Sequence, residues 1–200
     1  MKKPLIIGLT GPIGAGKDTV AGVLRRSGAL VIDADKIGHE VLSPQSAAWK
    51  SLVKVFGVKV LERGGRVNRK KLGGIVFSNP KALKSLTKIT HPEIRSRIKG
   101  LISKAIARKR KLIVVNAAVL SEMKLVPLMD KVIVVLSSRG KRLKRLIAKG
   151  RTRGDALARI KSQKSDSSYR RIADVVIINN GSKKDLEKEI AKIAENLLGD

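Results

Sequence analysis

Residues 5–19 read LIIGLTGPIGAGKDT, an apolar run that passes straight into a glycine-rich loop ending on a lysine. Leu5, Ile6, Ile7 and Leu9 suit a buried strand, and Val20, Val23 and Leu24 return at helical spacing beyond the loop. Between them Gly11, Gly14, Gly16 and Lys17 match the phosphate-loop pattern, in which successive backbone N–H groups turn inward around phosphate oxygens. Lys17 reaches the β and γ phosphates, and the helix starting near it aims its positive end at them. Gly11, Gly14, Ala15, Gly16, Lys17, Asp18 and Thr19 therefore form the expected nucleotide-binding set. One position breaks the pattern. A neutral Ser or Thr hydroxyl that coordinates Mg²⁺ belongs straight after the lysine, and here that residue is Asp18, with a threonine only at Thr19. Both are candidate metal ligands.

A chain of 200 residues with 42% hydrophobic content buries a sizeable core and reads as one soluble domain with excursions. Cysteine is absent, which excludes disulfides, thiolate metal sites and a cysteine nucleophile. The N-terminal apolar run is too short for a signal or membrane helix, so the expected location is the cytoplasm. Lys and Arg total 44 against 16 Asp and Glu, a formal net charge of +28, and such a surface attracts polyanions. Trp49, Tyr169, Phe56 and Phe77 are the only rings that could stack on bases, which argues against a single-strand-binding protein and makes nucleic-acid contact incidental.

Short β-branched runs at 5–10, 29–33, 112–116, 131–136 and 175–179 alternate with helical patterns, which predicts an α/β fold of three layers around a five-stranded parallel sheet. Ser182 with Asp185 three residues on is a capping box, and Leu186, Ile190, Ile193, Ala194 and Leu197 form one stripe of the final helix. Nearly eighty residues separate the second and third strands, far beyond a simple crossover, and they read as helices broken by Pro44, Gly57, Gly64-Gly65 and Pro80. This predicts a helical insert at about 42–108 within a single domain spanning 1–200. A second excursion, 137–172, sets Leu143, Leu146 and Ile147 against Arg142, Lys144 and Arg145, the make-up of a basic lid over a phosphate site.

Several further stretches carry a resemblance: VIDADKIGHEVL at 31–42, VNRKKLGGIVF at 67–77, HPEI at 91–94, VVNAAVL at 114–120, LKRL at 143–146, ALARIKSQ at 156–163 and ADVVIINNGS at 173–182. With the loop, they make the chain similar to the dephospho-coenzyme A kinases over nearly its whole length. The phosphate loop is shared with many nucleotide kinases, whereas the DAD after the second strand, the His-Pro and the terminal ADVVI-x-NNGS are more specific. The resemblance implies a P-loop kinase fold with a substrate-binding insert and a lid. It also implies the use of ATP and Mg²⁺ to phosphorylate the ribose 3′-hydroxyl of dephospho-CoA, the last step of coenzyme A synthesis.

Asp33 and Asp35 sit at the C-terminal end of the second strand, the sheet edge where ligands bind, and either carboxylate could take or orient the proton of the attacking hydroxyl. The family pattern favours Asp35, which is also placed to cap the helix that follows. Arg145 matches the family's lid arginine, expected against the transferring phosphoryl group, where arginine fingers contribute about 10³- to 10⁵-fold in rate. The Arg-Asp pair that often follows reads Lys149-Gly150 here, so Arg151 and Arg153 both stand as sources of a second charge. The family also matches His91, while a cap ahead of a helix-starting Pro92 explains it equally, and His39 reads as structural. Asn68, Arg69, Lys70 and Lys71 are candidate contacts for the CoA side of the substrate, or an ordinary basic helix end.

Two alternatives accompany this reading: another nucleoside or nucleotide kinase, and a basic nucleic-acid-binding P-loop protein. Asn116 stands where the family usually has an acid, so Asp18 could compensate for it at the metal, or could point away and serve the helix end.

Overall fold

The computed structural model describes residues 3–199. Strands β1 (Leu5–Thr10), β2 (Leu30–Asp33), β3 (Leu112–Asn116), β4 (Lys131–Leu136) and β5 (Val175–Ile178) form one parallel sheet in the order β2-β3-β1-β4-β5. β2 starts one residue later than its sequence pattern suggests and β5 ends one earlier. Asn179 still donates its N–H to Leu136 O at 2.8 Å, but it lies past the last strand residue.

The central place of β1, hydrogen-bonded on both edges, explains its unbroken apolar run. On one sheet face Ile7, Leu9, Val114, Ile133 and Val135 pack with helices α1 (Lys17–Arg26) and α9 (Lys183–Gly199). The contributions of α1 and α9 include Val20, Leu24, Leu186 and Ile190, one turn-spaced stripe from each helix. The capping box that starts α9 is formed, with Asp185 Oδ2 accepting the N–H of Ser182 at 3.0 Å and Ser182 Oγ accepting the N–H of Asp185 at 3.1 Å. Gly8 points to the other face, where side-chain atoms of Leu120 and Met129 lie 2.7 and 2.9 Å from the position a Cβ would take.

The chain divides into two compact units, residues 1–33 with 101–200, and Ala34–Gly100. The second unit contains α2 (Ala34–Glu40), α3 (Ala47–Phe56), a short 3₁₀ turn at Val58–Val60, α4 (Arg69–Ser78) and most of α5 (Pro80–Ala107). Its own core gathers Leu52, Phe56, Val60, Leu72 and Val76. Ser46 and Asn68 cap α3 and α4 by accepting the N–H of Trp49 and Lys71, and Trp49 Nε1 secures the turn behind them by donating to Gly65 O at 2.8 Å.

Pro92 does not start a helix. It lies inside α5, which runs unbroken for 28 residues, so His91 is a mid-helix residue and does not sit at a helix start. Proline removes one N–H and crowds the carbonyl four residues back, which normally ends a helix. Here the following turns bury Ile94 and Ile98, and that packing holds the helix through the defect. Residues 137–172 form α6 (Arg139–Ala148), α7 (Arg153–Lys161) and α8 (Asp166–Arg170). No helix among the described residues is long and apolar enough to cross a membrane.

Candidate active site

The glycine loop leaves the C-terminal end of β1 and enters α1 directly. Gly11, Gly14 and Gly16 have φ of 144°, 76° and 108°, conformations that an L side chain rarely adopts. Gly11 is needed for space as well, because a Cβ there would collide with Val135 O of β4. Lys17 folds back over the loop and donates from Nζ to Gly11 O at 2.8 Å, with Pro12 O at 3.4 Å. Ala15 N–H bonds Pro12 O at 3.2 Å, closing a compact ring of backbone above the helix N-terminus.

The loop is held from outside by α6 and the segments around it. Ile13 gives its N–H to Gln163 Oε1 at 2.8 Å, and its carbonyl accepts Arg142 Nε at 2.9 Å. Arg142 also reaches Gln163 Oε1 at 2.9 Å. Burial pushes the Arg142 guanidinium below its usual pKa, and Asp166, 4.0 Å away, acts in the opposite sense. Arg145, one turn along the same helix face, donates to Gly14 O, Ala15 O and Ser137 Oγ at 3.2, 3.3 and 3.1 Å. Its other terminal nitrogen meets Asn179 O and Oδ1 at 3.1 and 3.0 Å. The arginine expected to face the phosphates is thus engaged with the loop's own carbonyls. Neither Arg142, Gln163 nor Asn179 was identifiable as a site residue from sequence pattern, although Gln163 and Asn179 lie within the family-like stretches.

Asp18, an acid in the first turn of α1, has a side chain 80% exposed and 3.7 Å from Lys149 Nζ, so it stands at the positive end of the helix in a surface pair. Of the two arginines that stand as sources of a second lid charge, Arg151 donates to Asp155 at 2.7 Å, while Arg153 is exposed at the start of α7. Asn116 ends β3 in register with Asp33 of β2 and Leu9 of β1, buried to 7%, and its Oδ1 has no hydrogen-bond partner among the described residues. Thr19, in the first turn of α1, is half-buried.

In the second unit Asp35 occupies the first turn of α2, which begins at Ala34, so the position ahead of the helix belongs to Asp33. Arg69 begins α4 and lines a cleft of about 900 Å³. The walls of this cleft include Leu72, Val76 and Leu86, with Phe77 70% exposed at its edge and Arg66 and Lys70 beside Arg69. His39, expected to be structural, is exposed and lines the same cleft.

A five-stranded parallel sheet in this order, with a glycine loop and lysine after its central strand, defines a P-loop kinase. The dephospho-CoA kinase family model matches residues 5–185. The chain is 39% identical over 191 residues to the dephospho-CoA kinase of Carboxydothermus hydrogenoformans, covering 95% of this chain and 93% of that one. It is 41% identical to the dephospho-CoA kinase of Arabidopsis thaliana, covering 94% and 82%. The solved dephospho-CoA kinase of Campylobacter jejuni superposes with a TM-score of 0.65 at 29% identity, covering 98% of each chain. The chain belongs to the dephospho-CoA kinase family and is a kinase of the last step of coenzyme A synthesis.

Proposed function

We propose that the enzyme transfers the γ-phosphoryl group of ATP to the ribose 3′-hydroxyl of dephospho-CoA, giving CoA and ADP, with residues 11–19 as the donor site. The observation that carries this reading is the glycine-dependent loop on the central strand, with Lys17 folded across it. When ATP enters, Lys17 exchanges the Gly11 carbonyl for phosphate oxygens, and the inward N–H groups and the α1 terminus neutralise the remaining charge. Such transfers depend mostly on positioning and charge neutralisation, so the chain needs few groups that do covalent chemistry. Asp35 orients the acceptor hydroxyl and takes its proton, Asp33 being the alternative carboxylate.

Mg²⁺ fits the donor set, because the orphaned Asn116 Oδ1 and the Thr19 hydroxyl are hard, neutral oxygens beside the loop's strand and helix. These two oxygens would hold the ion or its waters, and it would supply charge neutralisation on the phosphates. The cleft of the second unit suits the acceptor: apolar walls accept a flexible pantetheine chain, and Arg66, Arg69 and Lys70 accept a pyrophosphate. His91 is assigned to acceptor binding in the same reading. The setting is the cytoplasm, and the basic surface binds nucleic acid only incidentally.

ADP release with dephospho-CoA, measured against a panel of nucleoside monophosphates, tests the assignment. Turnover confined to dephospho-CoA supports it, and preference for any monophosphate overturns it.

A further inference from the structure

The geometry points to Asn179 as a positioning residue for the phosphate loop, acting with Arg145 from the side of the backbone opposite the nucleotide. This rests on the reading of residues 11–19 as the donor site. Asn179 is 5% exposed, and its side-chain Nδ2 donates to Ala15 O at 2.7 Å. The same carbonyl accepts Arg145, which also holds Gly14 O. A peptide plane carries its C=O and the following N–H on opposite sides. Holding the carbonyls of Gly14 and Ala15 outward therefore keeps the N–H groups of Ala15 and Gly16 facing inward. The Ala15 N–H is parked on Pro12 O at 3.2 Å, a long bond that a phosphate oxygen can replace.

Chemistry fixes the orientation of the amide. Ala15 O only accepts and the Arg145 guanidinium only donates, so Nδ2 must face the carbonyl and Oδ1 the arginine. A flipped amide would oppose two acceptors on one side and two donors on the other. The main chain of Asn179 is anchored as well, its N–H on Leu136 O at 2.8 Å and its carbonyl on Arg145 at 3.1 Å. Gly16 completes the arrangement: a Cβ there would collide with Asn179 Nδ2, so the glycine leaves room for the amide to press against the loop. The paired asparagines of the terminal motif thus divide their work. Asn180 Oδ1 ties the start of the lid by accepting Ser138 N–H at 2.8 Å, and Asn179 sets the loop.

Asn179→Asp keeps the shape and the acceptor toward Arg145 but loses the donor to Ala15 O. The test is calorimetric binding of ATP and of inorganic tripolyphosphate, which has no base, to the wild type, Asn179→Asp, Asn179→Ala and Arg145→Lys. Lys17→Ala serves as the reference, with thermal unfolding recorded for all. Each of the two Asn179 variants should weaken both ligands by the same factor, about tenfold for one lost directed hydrogen bond, with KM for dephospho-CoA unchanged. Arg145→Lys, which keeps the charge but not the fork, should show the same equal weakening. Loss for ATP with tripolyphosphate unaffected would assign Asn179 to the base and overturn the proposal. Unaltered binding of both ligands in Asn179→Asp and Arg145→Lys, or an equal loss of dephospho-CoA binding, would also overturn it. Should Lys17→Ala bind tripolyphosphate at wild-type strength, the donor-site reading itself fails, an outcome separate from those concerning Asn179.

Discussion

Lys17 Nζ lies 2.8 Å from the carbonyl oxygen of Gly11, six residues back in the same loop. The ammonium group thereby occupies the loop in advance of any phosphate, on a carbonyl contact that a triphosphate would replace. Lys17→Ala should lower kcat/KM by at least about 10²-fold, as for other preorganised charges that meet developing negative charge. Thermal unfolding should shift little. Near-normal turnover in a steady-state assay would remove the donor site from residues 11–19.

The two carboxylates at the C-terminal end of β2 and the start of α2 separate by kinetics. Asp35→Asn should reduce kcat by about 10²- to 10⁴-fold while ATP affinity stays near normal, because the lost group acts on the acceptor proton. If Asp33→Asn shows that profile and Asp35→Asn is mild, the role passes to Asp33, the residue paired with Asn116 across the sheet edge.

Arg69 opens α4 on the wall of the second unit's cleft. Arg69→Ala should raise KM for dephospho-CoA roughly 10- to 100-fold, the range for one charge-assisted phosphate contact, and leave ATP binding unchanged. Equal effects on both substrates would show that Arg69 does not distinguish acceptor from donor.

Asp18 and Asn116 should behave independently. The exposed carboxylate of Asp18 pairs with Lys149 at 3.7 Å, a surface pair worth little, so Asp18→Ser should alter Mg²⁺-dependent turnover by less than roughly fivefold. Asn116→Asp would place an acid at the proposed Mg²⁺ site and should tighten Mg²⁺ dependence whether or not Asp18 is present. A double-mutant cycle in which each single change is harmful and the pair restores activity would instead make the two residues a compensating set.

Asp155 carries a pH dependence of known sign. Hydrogen bonds from Arg151 at 2.7 Å and Arg159 at 2.9 Å hold its carboxyl below the usual range. Its contribution is complete above the unfolded aspartate value, about 3.9, and is lost as pH falls through the lower folded value. The difference in unfolding temperature between wild type and Asp155→Asn should be constant from neutrality to about pH 5 and shrink below it. A difference that persisted at the acid end would assign the effect of Asp155 to something other than its charge.

Features held within a few neighbouring residues were readable from the chain. Hydrophobic period placed β1, β3 and β4 to the residue, and glycine spacing located the loop, because strand burial and positive φ are set by local side chains. The capping box of α9 followed from Ser182 and Asp185 alone. Local rules failed at Pro92, where they end a helix that burial of Ile94 and Ile98 carries onward.

What surrounds the loop was beyond such reading. Arg142 is 129 residues from Ile13 and Asn179 is 164 from Ala15, and only the parallel order β1-β4-β5 brings their C-terminal ends together. Arg145 shows the limit most plainly: its type and motif suit a phosphate contact, and the same charge and fork suit a row of carbonyls. A motif names the functional groups a residue offers, whereas the choice between partners depends on which of them the folded backbone sets about three ångströms away.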